Sequence, residues 1–507
     1  MLQPLDAYDQ TLIARVHPPD WVNPIPQNQY DLVVIGAGTA GLVIAAGSAG
    51  LGIGLRIALI EKNYMGGDCL NVGCVPSKTM IRSARVVSEF KKAANLGVTS
   101  TAITIDFATV MERLRKVRSE ISENDSAQRF KDLGVDVFFG EAQFTDLHTL
   151  RVTNSDTITN LTFKKAAIAT GTRAVCPKIE GLTAAGYLTN ESVFNLAECP
   201  KRLLVIGGGP IGCELAQTFQ HLGSQVTLVH KNSQILNKED PEAASIIRSQ
   251  LTQDGIHIWT NTEVLNIEVT SDGKKVQIRT PDGLRSVLVD EILIGAGRQA
   301  NIERLNLDAI GIATDPHKGI LVNDFLQTAH SHIYAAGDVC MDWKFTHAAD
   351  FAARIVIKNA FFSPFGLTQS RLSNLVMPWV TYTHPEVAHV GLYDHQVTGL
   401  TTTITIPMNT VDRAITDDET QGFVKLLLRA RSDEILGATI VSTHAGEMIS
   451  EVTMAMVHKI GLGKLASVIH PYPTQADAIR KAADTYRKTL LSDRTRSLLK
   501  LLSKFAR

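Results

Sequence analysis

Residues 30–62, YDLVVIGAGTAGLVIAAGSAGLGIGLRIALIEK, decide the fold. A short β-branched run leads into a glycine-rich turn, a helical stretch and a second apolar strand. Gly36, Gly38 and Gly41 form G-x-G-x-x-G, which permits a tight turn, close backbone approach to a pyrophosphate, and helix–strand packing. Phosphate charge is stabilised at such a helix N-terminus. Glu61 stands at the end of the next strand, twenty residues after Gly41 and followed by Lys62, where an acid suits a ribose hydroxyl. The run from Leu32 to Gly50 is apolar enough to resemble a membrane span, but five glycines punctuate it and its pattern fits a strand, a turn and a helix.

Residues 201–231, KRLLVIGGGPIGCELAQTFQHLGSQVTLVHK, repeat the pattern with Gly207, Gly209 and Gly212. Here the second strand ends on His230 and Lys231 instead of an acid. A carboxylate there favours NAD, whereas a basic residue accommodates the 2′-phosphate of NADP, so the pair points to NADPH over NADH; the alternative is a solvated strand end. Two copies in one chain predict a duplicated nucleotide-binding fold of α/β class.

The bulk properties are those of a globular protein. The chain has 507 residues, enough for about three domains. Its 50 Lys and Arg balance 51 Asp and Glu, so no global charge attracts nucleic acid or an anionic membrane. Six cysteines in this length are not a secreted disulfide framework. The N-terminus lacks a basic region followed by an apolar run, which excludes a signal peptide and suggests a cytoplasmic protein. Pro4, Pro18, Pro19, Pro24 and Pro26 suggest that residues 1–29 form an extended arm.

The segment GGDCLNVGCVPSK, residues 66–78, carries the chemistry. Cys69 and Cys74, spaced C-x4-C at a helix start, can close a small strained disulfide, and such disulfides tend to be exchangeable. The helix dipole and nearby Lys78 lower a thiolate pKa. A zinc site needs two further ligands, and no second cysteine pair exists; no structural metal is expected. Cys176, Cys199, Cys213 and Cys340 are isolated, for which buried structural positions are the default.

With these motifs in order, the chain resembles the class I pyridine nucleotide-disulfide oxidoreductases, the family of glutathione reductase, lipoamide dehydrogenase and mercuric reductase. The motifs are the first fingerprint, the cysteine segment, ATG at 169–171, the second fingerprint, GAGR at 295–298, AAGD at 335–338, and HPYPTQAD at 470–477. The resemblance implies two Rossmann-like FAD/NAD(P)-binding domains plus an α+β dimerisation domain, and a homodimer. The implied boundaries are 30–180 and 297–370 for the FAD domain, 181–296 for the NAD(P) domain, 371–485 for the interface domain, and 486–507 for a basic tail.

Site residues follow from the same resemblance. The first fingerprint would hold FAD, with Glu61 on its adenosine ribose and Ala142 at the adenine end. Asp68 and Lys78 would flank the isoalloxazine, and Glu214 would pair with Lys78. Asp338 would bind the ribityl or diphosphate region, and the helix from Thr346 would point at the flavin. Thr170, Gly171, Gly297 and Arg298 belong to the motifs that line the cofactors. Electrons would pass from NADPH through FAD to Cys74 and then to Cys69, which meets substrate. The family has Thr where this chain has Asp68; a backbone contact survives that change and a hydroxyl contact does not.

The family's disulfide reductases carry H-A-H-P-T-x-S-E, whose second His is the acid–base. Aligned without a gap, Tyr472 occupies that position, His470 the first His and Asp477 the Glu. His470 is a candidate replacement acid–base. His384 is expected to be structural, and His347 to pack near the flavin. CVPSK, GCELAQTF and the Pro-Tyr of HPYPT most resemble mercuric reductases, as do Tyr187 and Tyr472 at substrate positions. The chain lacks the vicinal C-terminal cysteines and the G-M-T-C-x-x-C module that collect Hg2+. Hg2+ and a disulfide both stand as substrates. The basic tail, with Arg487, Lys488, Arg494, Arg496, Lys500, Lys504 and Arg507 among leucines, could dock on an anionic membrane or a partner, or pack on the dimer.

Overall fold

The computed structural model describes residues 6–99, 102–155 and 157–505, without the side chain of Arg494. Pro4, Arg507 and the Arg494 side chain lie outside the described residues.

Every position of the Leu32–Ile35 strand is buried, as a parallel strand covered on both faces requires. It sits in the middle of a five-stranded parallel sheet, ordered Ile333–Ala335, Ala166–Ile168, Leu32–Ile35, Ile57–Glu61, Val135–Phe139. The second repeat builds its own parallel sheet, ordered His257–Trp259, Gln225–Val229, Arg202–Ile206, Glu291–Ile294. The two fingerprints fold alike. Gly36 takes φ +98° and Gly207 φ +116°, the left-handed region in which a side chain is strained. A Cβ on Gly41 would lie 1.8 Å from Gly36 O, and one on Gly212 1.8 Å from Gly207 O. In both places only glycine lets the following helix start against the strand.

The helix after the first fingerprint, Thr39–Ala49, packs on Thr346–Phe361 through small residues. A Cβ on Gly47 would lie 2.6 Å from Ile357 Cδ1. Ala348, Ala349, Ala352 and Ala353 are buried on the facing helix. The third unit is an antiparallel sheet, ordered Pro378–Thr381, Glu386–Gly391, Ile435–Ser442, Phe423–Arg429, Thr401–Pro407. Helices Ala445–Val457 and Asp477–Thr489 share its buried core. Among the described residues no helix is long and apolar enough to cross a membrane.

The N-terminal segment departs from the extended arm expected of it. Ala7–Val16 is a helix, capped by Asp6, whose Oδ1 accepts from Tyr8 N at 2.9 Å and Asp9 N at 3.0 Å. Four of the five prolines that suggest an extended chain follow this helix, at positions 18 to 26. Asp9 is buried and pairs at 2.6 Å with Arg118, which is wholly buried on the Phe107–Ile121 helix. Arg118 Nη1 also donates to Asn71 O at 2.8 Å, so the leading helix is tied to the cysteine segment.

Removing one partner of a buried ion pair strands the other charge, which costs about 3–5 kcal/mol. Asp9→Ala is therefore expected to lower the urea unfolding midpoint by that equivalent. The double variant Asp9→Leu/Arg118→Met should lose less. Equal midpoints for Asp9→Ala and the unsubstituted protein would contradict the assignment.

Candidate active site

Two helices meet at the cysteines. Cys69 lies in the short Gly67–Val72 helix, and Cys74 is the first residue of Cys74–Lys92. The first helix starts against the first fingerprint: a Cβ on Gly67 would lie 2.7 Å from Gly38 Cα. Asn71 Nδ2 donates to Met65 O and Gly67 O at 3.0 and 2.9 Å, closing the segment on itself. All six cysteines are unbridged in this structure. Cys74 is exposed, and its Sγ lies 3.3 Å from Thr346 Oγ1, at the start of Thr346–Phe361.

One turn further along, Lys78 Nζ donates to Glu214 Oε2 at 2.8 Å. Glu214 is buried on Pro210–His221, and its other oxygen accepts from Tyr382 N at 2.9 Å. The Lys78 ammonium also stands 4.6 Å over the Tyr382 ring. Burial works against the Lys78 charge, but Glu214 more than offsets it and the ammonium pKa is raised.

The two thiols are held in opposite states. A hydrogen bond from Cys69 lowers the Cys74 pKa to about 6 against the effect of burial, with help from Thr346 and the Lys78 charge. Its place at a helix start acts in the same direction. Cys69 is shifted upward, by its hydrogen bond to Cys74 and by burial. Beside Cys74 opens a cleft of about 360 Å3, lined in part by Lys78, Arg82, Arg113, Val117 and Ile121.

Asp68 replaces a neutral residue of the resemblance and has its own charged partner. It forms an ion pair with Arg298, whose Nε donates to Thr172 Oγ1 at 2.7 Å. Thr172 in turn donates to Asp338 Oδ2 at 2.9 Å. Burial raises the Asp338 pKa and Arg298 draws it back. Thr170 Oγ1 donates to Asn301 O at 2.7 Å, while Gly171 and Gly297 both take positive φ. The Ala142 side chain packs into the core, and the residue pairs with Val152 in an antiparallel ladder.

The ends of the two fingerprint strands correspond in detail. Glu61 Oε2 accepts from Ala37 N at 2.7 Å, and Oε1 from Asn63 N at 2.8 Å. Burial raises its pKa despite these bonds. His230 does the same in the second copy: its Nδ1 accepts from Gly208 N at 3.0 Å. Burial lowers its pKa, so the ring is held neutral, and Nε2 has no partner. This corrects the reading of His230 as a basic group for a phosphate, and equally as a solvated strand end. Lys62 and Lys231 are exposed. Both turns fit a dinucleotide: each supplies a glycine cradle, and a Cβ on Gly209 would meet open space.

The C-terminal element is not hydrogen-bonded to the cysteines within the described residues of one chain. Tyr472 is 74% exposed, and its hydroxyl donates to Asp412 Oδ2 at 3.2 Å. Asp477 accepts from Arg480 Nε at 2.7 Å. The His470 side chain is 5% exposed, with Nε2 3.0 Å from Glu451 Oε1. Glu451 thereby fixes the orientation of the His470 ring. Tyr187 is half-buried and hydrogen-bonded to Cys176. Cys176 is exposed, contrary to the default for isolated cysteines, whereas Cys213 is buried. His384 is mostly buried, with its pKa lowered to about 3 by burial, and His347 Nε2 lies 2.7 Å from Pro378 O.

Sequence reasoning missed two neighbours of the pair. Asp125 Oδ2 would lie 3.0 Å from a Cβ on Gly66, and its charge acts on Cys69. Burial pushes its pKa up to about 6. Asn190 Nδ2 donates to Val72 O at 3.2 Å. No motif flags either residue, because both reach the site from distant segments.

Comparison with known proteins agrees with this geometry. The family model "Pyridine nucleotide-disulphide oxidoreductase" matches residues 30–353, and that family's dimerisation domain matches residues 377–483. The chain belongs to the class I pyridine nucleotide-disulfide oxidoreductases, whose members bind FAD and a pyridine nucleotide. It is 34% identical to a mercuric reductase of Lysinibacillus sphaericus over 470 residues, covering 92% of this chain and 84% of the relative. It is 31% identical to a dihydrolipoyl dehydrogenase of Geobacillus stearothermophilus, covering 90% and 96%. Among solved structures it is similar to the Cu(II) complex of the HOCl-induced flavoprotein disulfide reductase RclA from Escherichia coli. That match has a TM-score of 0.80 at 28% identity and covers 90% of this chain and 100% of the other.

The unequal thiols have a measurable signature. In the reduced protein, alkylation of Cys74 should rise with an apparent pKa near 6, while Cys69 reacts only at much higher pH. Lys78→Met removes a stabilising cation and should move the Cys74 profile upward. Peptide mapping of iodoacetamide-labelled protein across pH reads both; a Cys74 profile unmoved by Lys78→Met would contradict the electrostatic account.

Proposed function

We propose that this chain is an NADPH-dependent flavoprotein reductase that delivers electrons through Cys69 and Cys74 to Hg2+. The observation that carries the redox role is the place of the Cys74 sulfur, at a helix start, 3.3 Å from Thr346 Oγ1 and one turn before the Lys78–Glu214 pair. When bound, FAD and the nicotinamide supply the two-electron chemistry. The chain's residues place and charge the site. Lys78 keeps its proton through Glu214, Thr346 holds the Cys74 sulfur, and Asp68 with Arg298, Thr172 and Asp338 forms a polar cluster that would face the flavin.

The substrate reading rests on the acid–base position. Disulfide exchange returns protons to leaving thiolates, which a nearby acid–base assists. Tyr472 occupies that place, and His470 is held inside its own subunit by Glu451. Soft Hg2+ needs thiolate ligands, not an imidazole, and binds a reduced cysteine pair well. In the dimer, exposed Tyr472 of each protomer would face the other's cysteines, and Tyr187 would stand near the cysteines of its own chain. Exposed Lys231 would supply the charge for a 2′-phosphate, which favours NADPH over NADH.

A second reading, reduction of a disulfide, is favoured by Asp125. Its carboxyl acts on Cys69 and titrates near 6, so it can carry a proton within one chain.

The two readings separate in one assay of NADPH oxidation, with Hg2+ plus excess thiol in one arm and oxidised glutathione in the other. Turnover should be fast with Hg2+, abolished by Cys74→Ser, slower with NADH, and unchanged by Asp125→Asn. Turnover with the disulfide alone, lost in Asp125→Asn, would overturn the mercury reading and support the second.

A further inference from the structure

Two helices end the chain, both amphipathic, and they meet different fates. Asp477–Thr489 buries Ala478, Ile479, Ala482 and Ala483 in the core of the third unit. Asp493–Phe505 buries nothing comparable. Its Leu498, Leu499, Leu501 and Leu502 are 50 to 55% exposed, and Phe505 is 82% exposed. At about 100° per residue, Leu498, Leu501, Leu502 and Phe505 share one face, with Leu499 at its edge. Arg496, Lys500 and Lys504, spaced four apart, line the opposite face. Arg487 and Lys488 add two cations just ahead of the helix. The acid in the helix, Asp493, faces Arg496 at 3.9 Å.

Among the described residues, the side-chain hydrogen bonds of residues 492–503 stay within the tail. The match to the family's dimerisation domain ends at residue 483, before this helix begins. Among the described residues, the buried core of the third unit draws on no residue of this helix. Thirteen residues at about 1.5 Å per residue are too short to span a bilayer. A basic polar face opposite an apolar stripe is instead the pattern of a helix that lies in a membrane interface.

We propose that Asp493–Phe505 docks the enzyme on an anionic lipid surface. Leu498, Leu501, Leu502 and Phe505 enter the acyl boundary, while Arg496, Lys500 and Lys504 meet the headgroups. Charge complementarity selects this occupant: an apolar partner groove would satisfy the leucines but leave the cationic face without a role. Each cation near such a surface strengthens binding on the order of fivefold, an effect that salt screens. The reductase chemistry is independent of this docking.

The test is sedimentation of the full-length, FAD-loaded dimer with vesicles of phosphatidylcholine containing one-third phosphatidylglycerol, and with phosphatidylcholine alone. The full chain should pellet with the anionic vesicles, weakly with the neutral ones, and less as salt rises. A chain lacking residues 490–507 and the double variant Leu498→Glu/Leu502→Glu should stay in the supernatant with binding reduced at least tenfold. Both should remain dimers with unchanged NADPH turnover. Full-length protein that ignores anionic vesicles, or variants that bind as well as it does, would overturn the proposal. So would loss of the dimer in the truncated chain by light scattering, which would assign the helix to the subunit interface.

Discussion

Glu214 is the residue on which three units converge. Its carboxylate is buried on the helix that follows the second fingerprint. One oxygen holds Lys78, one turn beyond Cys74 on the redox helix, and the other holds the backbone of Tyr382, just past the first strand of the third unit. A buried carboxylate without partners would be driven to its neutral form. Here a cation and an amide satisfy it together. The requirement to satisfy this one charge fixes how the redox helix, the second nucleotide fold and the antiparallel unit sit against each other. Gln217, one turn along the same helix, repeats the link by bonding both backbone groups of His384.

The electrostatics of the cysteine pair follow from that arrangement. Lys78 is kept charged, and its charge stands near Cys74 but is partly cancelled by Glu214, which raises the same thiol. The hydrogen bond between the two sulfurs supplies the largest asymmetry, and helix position and Thr346 add to it. A thiolate ready at neutral pH and a protonated neighbour form the division of labour that sequential thiol chemistry requires. Asp125 reinforces it by opposing ionisation of Cys69.

What the sequence discloses is what local geometry dictates. The fingerprints are legible because Gly36 and Gly41, or Gly207 and Gly212, meet within one turn, where a side chain cannot fit. The cysteine segment is legible for the same reason. Long-range pairs are not. Arg118 and Asp9 lie 109 positions apart, and Lys78 and Glu214 136; the second pair was reached only through family resemblance. The prolines at 18 to 26 point to an extended arm, whereas the Asp6 cap that starts the leading helix is a single residue and carries little weight in a sequence. His230 was read by residue type, as a cation, yet the fold turns its ring into the fingerprint and keeps it neutral. A motif gives His470 its place in the sequence, but Glu451, on the Ala445–Val457 helix, decides where the ring points.

The account depends on Cys69 and Cys74 being the pair that accepts electrons. The most direct measurement is mass-spectrometric mapping of alkylatable thiols in the air-oxidised protein, before and after anaerobic addition of NADPH. The account predicts that Cys69 and Cys74 become alkylatable only after NADPH, while Cys176, Cys199, Cys213 and Cys340 keep their labelling unchanged. Thiols at 69 and 74 that are equally reactive before and after NADPH would contradict it.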